Sequence, residues 1–459
     1  MEIGSIAFFM GWGLLILLGF FIFYSVYALV KDKEPQAAKR IFFSGVIFLF
    51  LWASALFFEF PFKPLVLVLV NFLVISLCAV MFLPIGKKEE FLLPANMGQI
   101  DERDIMFSRA AYEEGSPQYI EYYTRHPEKK AVDADIRAKP KLGEPGTQTY
   151  NRYDAPIMNS LFEVLANLRP LTEPKAENDK VYSDPEHMTA KLKGLAQYFG
   201  ANLVGVTELR DYHYYSYRGR RPDVYGSEPA PKHKYAIVYA VEMAHNMILN
   251  APKLPVGIET AKQYMELAKI GLELAYYLKG LGYDARAHTD GNYLVVCPLV
   301  AADAGLGEIG RMGILMTEKY GPRIRLGVVT TDIPLIPGKP KSFGAQNFCN
   351  YCLKCVRNCP SQAIPAGQKE IINGHPRWQI KQEKCYGFWR KVGTDCGICI
   401  NSCPYNKPDN LVHRLVRYSL RNSDVARRIV PKLDDVLYGK KPYKDVRPHW
   451  MERGKEKAE

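Results

Sequence analysis

The stretch Phe348–Ile364, FCNYCLKCVRNCPSQAI, spaces its thiols as Cys349-x2-Cys352-x2-Cys355-x3-Cys359-Pro360. So tight a loop lets three thiolates wrap one 4Fe–4S cube, while the fourth is carried off by the next turn toward a second cube. A second group follows: Cys385, then CGICINSCPYN with Cys396, Cys399 and Cys403-Pro404. Its first gap is longer, but the C-x2-C-x3-C-P ending is intact. Crosswise ligation assigns Cys349, Cys352, Cys355 and Cys403 to one cluster, and Cys385, Cys396, Cys399 and Cys359 to the other. Zinc ribbons use C-x2-C pairs without needing these endings, and disulfides fit poorly with a cytoplasmic setting. Of the 10 cysteines this leaves Cys78, in an apolar run, and Cys297, in an expected strand. Both read as small packing residues. Two cubes in series imply an electron relay toward something buried.

The chain opens on three uncharged apolar stretches, Ile3–Val30, Ile41–Phe58 and Pro64–Gly86. About 20 apolar residues span a bilayer as a helix, and a secretory signal would offer one short core rather than three. Lys31, Lys33, Lys39 and Arg40 crowd the first loop, Lys63 stands alone in the second, and Lys87 and Lys88 follow the third span. The positive-inside rule then predicts a multi-pass protein of a bacterial inner membrane with its large domain in the cytoplasm. The net charge of +12 comes without a dominant basic block, so no nucleic acid is expected as a partner.

Beyond the spans, residues 89–180 are polar and mixed. From there helical and strand-like segments alternate. HMTAKLKGLAQYFGA and ETAKQYMELAKIGLELAYYLKGLG carry helical periodicity and end at glycines. NLVGVTEL, KYAIVYAVEM, YLVVCPLV and IRLGVVTTDIPL read as strands. The expected segments are a membrane anchor over 1–88, a peripheral region over 89–180, an α/β (α+β) core over 181–338, a cysteine domain over 339–410 and a basic tail over 411–459. The tail is expected to pack over the cysteine domain.

Within the core, DAGLGEIGRMG, Asp303–Gly313, spells G-x-G-x-x-G with Gly305, Gly307 and Gly310, and Asp332 follows near the distance of a ribose-binding acid. A dinucleotide site needs a helix after the third glycine. Gly313 interrupts almost at once and Gly321-Pro322 ends the segment. Glycines that admit close backbone approach suit another large flat group equally well.

These blocks, in the order YAIVYAVEM, LGYDARAH, DAGLGEIGRMGILMTEKYGPRIRLGVVTTDIPL and FCNYCLKCVRNCPSQAI, resemble the corrinoid-dependent reductive dehalogenases. YIEYYTRHPEKKAVDADIRAKPKL resembles the N-terminal part of that family, and the likeness runs from about Asp101 to the tail. It implies a nitroreductase-like core burying a base-off cobamide, capped by a ferredoxin-like domain with two 4Fe–4S clusters. It further implies that Co(I) breaks a carbon–halogen bond, that a tyrosine protonates the carbon, and that a nearby basic residue holds the tyrosine near its phenolate form. By position, Tyr264 is the tyrosine, with Thr260 one helical turn before it, and Arg311 is the basic residue. Gly305, Gly307, Glu308 and Gly310 would form a cofactor wall. A third polar residue is sought among His288, Asp290 and Asn292, with Asn292 the best suited to a substrate. A core-facing aromatic is the competing reading of Tyr264. Asp211-x-His213 falls one glycine short of the motif that supplies histidine to cobalt, in keeping with a base-off cofactor.

The expected partners are an organohalide, membrane lipid and a low-potential electron donor. The loop Asp211–Pro229, rich in tyrosine and arginine, suggests an aromatic, anionic substrate. Two other functions fit parts of the pattern. An epoxyqueuosine reductase-like enzyme shares fold and cofactors with this family, but three spans and the lack of its helical-repeat tail speak against it. A non-catalytic membrane ferredoxin-type subunit explains the cysteines and spans, but leaves the glycine block and Tyr264 without a role.

Overall fold

The computed structural model describes residues 3–86, 90–441 and 444–451. Lys87 and Lys88, used above for orientation, lie outside the described residues. The chain divides into two compact units. One takes Met1–Glu89, Asn347–Cys352 and Lys407–Pro442; the other takes Glu90–Gln346, Leu353–Asn406 and Tyr443–Glu459.

In the first unit, Ile3–Lys31, Pro35–Phe57 and Lys63–Phe82 are helices long and apolar enough to cross a membrane. Their large side chains, among them Phe20, Phe23, Phe50 and Leu73, face outward, as expected of helices whose solvent is lipid. Small residues and buried hydrogen bonds join them instead. Trp52 Nε1 donates to the Gly11 carbonyl at 3.1 Å and Asn71 Nδ2 to the Ala7 carbonyl at 3.2 Å. The second helix begins before its apolar run, because Pro35 suits a first turn and Ala37 and Ala38 pack on Leu29. Cys78 is exposed rather than packed.

The C-terminal helices, expected over the cysteine domain, belong to this unit. Leu411–Asn422 and Asp424–Tyr438 pack on the second and third membrane helices. The Ser423 hydroxyl donates to the Val80 carbonyl at 2.8 Å, and the Asp424 amide to the Ile85 carbonyl at 2.8 Å. Arg40 Nη1 donates to the carbonyls of Val436 and Leu437 at 2.7 and 3.0 Å.

The second unit is built on one antiparallel sheet. Its strands are β1 Leu203–Glu208, β2 Tyr235–Glu242, β3 Ala285–His288 and β6 Ile324–Thr331, in the order β1-β2-β6-β3. A short hairpin, β4 Glu308–Ile309 with β5 Leu315–Met316, stands apart. The six central residues of β2 are all buried, because both faces of the sheet are covered. On one face lie the helices Pro185–Tyr198 and Leu254–Gly280, which supply Leu192, Leu267, Ile270, Leu274 and Leu278. On the other lies Cys297–Asp303, with Tyr212 and Tyr214. YLVVCPLV is therefore largely a helix rather than a strand. Pro298 cannot donate to a ladder but fits the first helical turn, and only Val295 bridges a neighbour.

Residues of the peripheral segment wrap the helix Gln382–Val392, which carries Cys385. Arg109 holds Asp133 through two bonds of 2.9 and 2.7 Å, and reaches Glu383 on that helix at 2.6 Å. The Arg109 and Asp133 side chains are both fully buried. Stripping the charge from one partner of such a pair costs about 3–5 kcal/mol. Asp133→Asn should therefore lower the unfolding free energy by that order in chemical denaturation. A change below about 1 kcal/mol would mean that the pair behaves as a surface bridge.

Candidate functional site

A cavity of about 390 Å³ opens in the second unit. Its wall is largely apolar, with Met312, Leu315, Ile324, Leu326 and Phe388 contributing. Among its polar lining are Tyr264, Tyr293, Arg325 and Asp395, together with Cys359, Cys385, Cys396 and Cys399.

Three elements converge on Arg325. The residue sits in β6, its guanidinium 5.2 Å from the centre of the Tyr264 ring. Thr260, one turn before Tyr264 on the long helix, donates to Asp395 Oδ2 at 2.6 Å and accepts from Arg325 Nη2 at 2.6 Å. Arg325 also pairs with Asp395 at 2.5 Å. Arg325 Nε and Asp395 Oδ1 stay buried without a protein partner. Burial raises the pKa of Tyr264, and Arg325 works against that shift. The phenol is thus protonated at neutral pH, where a value near phenolate was expected; desolvation outweighs the cation.

Arg311 is not brought to Tyr264. It donates to the carbonyls of Pro365 and Gly367 at 2.9 and 2.8 Å, and stacks on Trp378 at 4.4 Å. The cation beside the tyrosine is Arg325. The signal for it was a charged residue inside the apolar run IRLGVV. For Asp395 the signal was its place next to Cys396.

Gly305, Gly307, Glu308 and Gly310 do not line the cavity, although Met312 of the same block does. Gly305, at φ +79°, lies against the carbonyl of Lys339, and a Cβ on Gly307 would stand 1.9 Å from the Met316 carbonyl. The glycines let a turn and the β4–β5 hairpin close on protein backbone, with Gly310 donating its amide to the Ile314 carbonyl at 3.0 Å. Glu308 is fully buried and accepts from the amides of Phe343, Gly344, Ala345 and Gln346, capping the start of the helix Ala345–Cys352. A nucleotide site is excluded by geometry: a hairpin replaces the needed helix, the sheet is antiparallel, and Asp332 accepts from the Lys234 amide at 2.9 Å.

Asn292 lies behind the cavity wall, next to Tyr293. Its Oδ1 accepts from Arg286 at 2.9 Å, Arg218 at 3.3 Å and Arg221 at 3.4 Å. Arg220 reaches Asp290 at 3.4 Å and stacks 5.0 Å over Phe107, itself part of the wall. Burial, the neighbouring arginines adding to it, pulls the guanidinium pKa values of Arg169 and Arg218 downward. Burial alone brings Arg286 to about 10. His288 is buried against Thr330 and the Leu294 amide. His213 accepts the Arg210 amide at 3.0 Å and faces Asp303 at 3.1 Å. Neither histidine lines the cavity.

The cysteines follow the internal duplication. Cys355 and Cys399 are second residues of two five-residue helices, Lys354–Asn358 and Ile398–Ser402, which pack together. Cys359 and Cys403 follow these helices in extended conformation, as a residue before proline must. Cys359 thereby leaves its own run and joins Cys385, Cys396 and Cys399 at the cavity. Burial raises the thiol pKa of those last three, Cys385 to about 11 and Cys396 to about 12. Cys297, at the start of its helix, also lines the cavity and is pushed up to about 12 by burial. Cys349 and Cys352 lie on Ala345–Cys352, within the residues grouped with the first unit. Among the described residues no three Cys, His, Asp or Glu side chains gather tightly enough for a single metal ion.

Gly307→Ala should lower the midpoint of thermal unfolding strongly, since its methyl meets rigid backbone and overpacking of this kind costs about 1–3 kcal/mol or more. An unchanged midpoint would show that the hairpin can open there.

The match to known proteins agrees with this geometry. Residues 348–407 match the 4Fe-4S dicluster domain family. The tetrachloroethene reductive dehalogenase of Sulfurospirillum multivorans is 31% identical over 294 residues, covering 56% of this chain and 58% of that protein. That of Desulfitobacterium hafniense is 34% identical over 211 residues, covering 43% and 38%. A solved reductive dehalogenase, described as suggesting a mechanism for B12-dependent dehalogenation, superposes with a TM-score of 0.61 at 25% identity, covering 78% of this chain and 49% of that one. The catabolic reductive dehalogenase NpRdhA, solved with 3-bromo-4-hydroxybenzoic acid, shares the fold at a TM-score of 0.62 and 24% identity, over 79% of this chain and half of that one. This chain therefore spans 58% or less of the length of these relatives. In sequence and in fold, it is similar to the reductive dehalogenases.

Proposed function

We propose that this chain is a membrane-anchored reductive dehalogenase with a nitroreductase-like corrinoid-binding core. The observation that carries the reading is the shared cavity: a half-buried tyrosine with its cation faces the same space as four cysteines in cluster order. A non-catalytic electron carrier has no use for Tyr264, Arg325, Thr260 and Asp395 at its cysteine wall.

The residues present suit the two groups the family implies. Cys359, Cys385, Cys396 and Cys399 would hold one 4Fe–4S cluster at the cavity; for the other, the motif spacing alone assigns Cys349, Cys352, Cys355 and Cys403. The apolar wall and the unpartnered Arg325 Nε and Asp395 Oδ1 suit a cobamide. Bound there, the cobamide supplies low-valent cobalt for carbon–halogen cleavage and the clusters supply its electrons. Tyr264 keeps its proton until the carbon demands it. Arg325, fixed by Thr260 and Asp395, then stabilises the phenolate that remains. The apolar wall excludes water that would compete as proton source.

The arginines that gather on Asn292 and flank Phe107 favour an aromatic, anionic organohalide. Sidedness also has support. The turn Asp32–Glu34 and the end of the third membrane helix meet the same pair of C-terminal helices, so both lie on one side. That side carries Lys31, Lys33, Lys39 and Arg40, which the positive-inside rule assigns to the cytoplasm.

Cofactor analysis of chain reconstituted with a corrinoid source tests the reading directly. Two cubes contribute about eight irons, and cobalt should bind close to one per chain. Iron without cobalt would make the chain an electron-transfer subunit.

With reduced viologen as donor, halobenzoates should be dechlorinated or debrominated in preference to neutral halobenzenes. Positioned proton donors contribute about 10²–10⁴-fold, so Tyr264→Phe should lower kcat by that range and Arg325→Gln by a comparable factor. Activity should be flat across neutral pH and fall only on the alkaline side, since the raised Tyr264 pKa keeps the donor protonated below it. Full turnover by Tyr264→Phe would remove the tyrosine from the chemistry, and equal use of neutral substrates would refute the anionic preference.

A further inference from the structure

The C-terminal helices meet all three membrane helices at one set of ends. Asn410 Nδ2 donates to Asp32 Oδ2 at 2.8 Å, just past the first helix. Arg40 caps Asp424–Tyr438 from the start of the second helix, and Val80 and Ile85 at the end of the third take bonds from Ser423 and Asp424. The rings of Phe82 and Tyr418 lie 6.3 Å apart. With the three helices across a bilayer, this pair lies against their ends on one side, near the layer where acyl chains give way to headgroups.

Its uncovered face suits that layer. On Leu411–Asn422 the exposed residues Leu411, Arg414, Tyr418 and Arg421 recur at helical spacing along one stripe. On Asp424–Tyr438 the exposed residues are Arg428, Lys432, Leu433 and Val436. Each stripe mixes cations with apolar or aromatic side chains, the composition of a helix lying in a membrane surface. Lys31, Lys33, Lys39 and Arg40, at the neighbouring helix ends, are exposed as well, as are Lys440 and Lys441. Asp409 takes Arg417, with Arg414 3.7 Å away; Asp424 takes Arg427 at 2.5 Å; Asp32 takes Asn410.

We propose that the pair 411–438 is an interfacial element whose stripe Arg414, Arg421, Lys432 binds anionic phospholipid headgroups. Charge complementarity and continuity with the spanning helices select that occupant over a protein partner. The same surface presses Arg428 over the ring of Tyr351 at 4.6 Å, between Cys349 and Cys352 in the sequence. Headgroup binding would thus steady the segment that carries two cluster ligands.

Full-length chain in detergent, examined by native mass spectrometry, should retain added phosphatidylglycerol in preference to phosphatidylcholine, and retention should fall as ionic strength rises. The triple variant Arg414→Gln, Arg421→Gln, Lys432→Gln should retain several-fold less phosphatidylglycerol with unchanged helicity. Arg414→Lys with Arg421→Lys should keep it, as should the remote pair Lys191→Gln, Lys262→Gln. Equal retention of both lipids by the natural chain, retention indifferent to salt, or undiminished retention by the triple glutamine variant would each overturn the proposal. A protein partner would leave lipid retention unaffected by the triple variant.

Discussion

Arg325 has exchanged water for the wall of an apolar cavity, a transfer that costs several kcal/mol unless the ion is paired and hydrogen-bonded. The pairing comes from two other elements: Thr260 on the long helix and Asp395 beside the cysteine loop. Sheet, helix and cysteine segment therefore have to be docked together before the cation is satisfied, and the same docking closes the cavity. The satisfaction is incomplete: one nitrogen of Arg325 and one oxygen of Asp395 have no protein partner. Tyr264 inherits its properties from this arrangement. Its burial favours the neutral phenol while the guanidinium over its ring favours the anion.

A second constraint lies in two prolines. Pro360 and Pro404 force the cysteines before them into extended backbone, which ends each five-residue helix and points its last thiol away from its own loop. For Cys359 this means the company of Cys385, Cys396 and Cys399 at the cavity. Interdigitation of the two halves is thus a backbone consequence of the C-x3-C-P ending.

Where residue type and spacing enforce one local outcome, the sequence was legible. Both long core helices, β1, β2 and β6 fall where periodicity and terminal glycines place them, and the three apolar runs are helices of spanning length. The cysteine grouping at the cavity follows from motif spacing alone. Legibility failed where the deciding partner is remote. Nothing within GEIGRMG tells that Gly307 faces Met316, that Glu308 caps a helix some 35 residues on, or that Arg311 will stack on Trp378. The loop looked like a cofactor wall because glycine permits close approach without naming what approaches. Arg325 was hidden by an apolar strand, where a lone cation is easily passed over, and YLVVCPLV was misjudged because hydrophobicity outvoted Pro298.

The membrane-helix contacts of the C-terminal helices were missed for a related reason: basic, amphipathic segments advertise that they have a face, but not what covers it. In the structure the covering is arranged through helix ends. The last carbonyls of any helix have no partner within it, and here those of the third membrane helix region and of Asp424–Tyr438 are the acceptors that the Ser423 hydroxyl, the Asp424 amide and Arg40 use. Docking therefore depends on where each helix stops. Lengthening the third span by one turn would carry its free carbonyls about 5.4 Å along the axis, out of reach of Ser423 and Asp424, although every apolar residue remained in place. Hydrophobicity decides that these helices enter a bilayer; their termination points decide what they can hold once there.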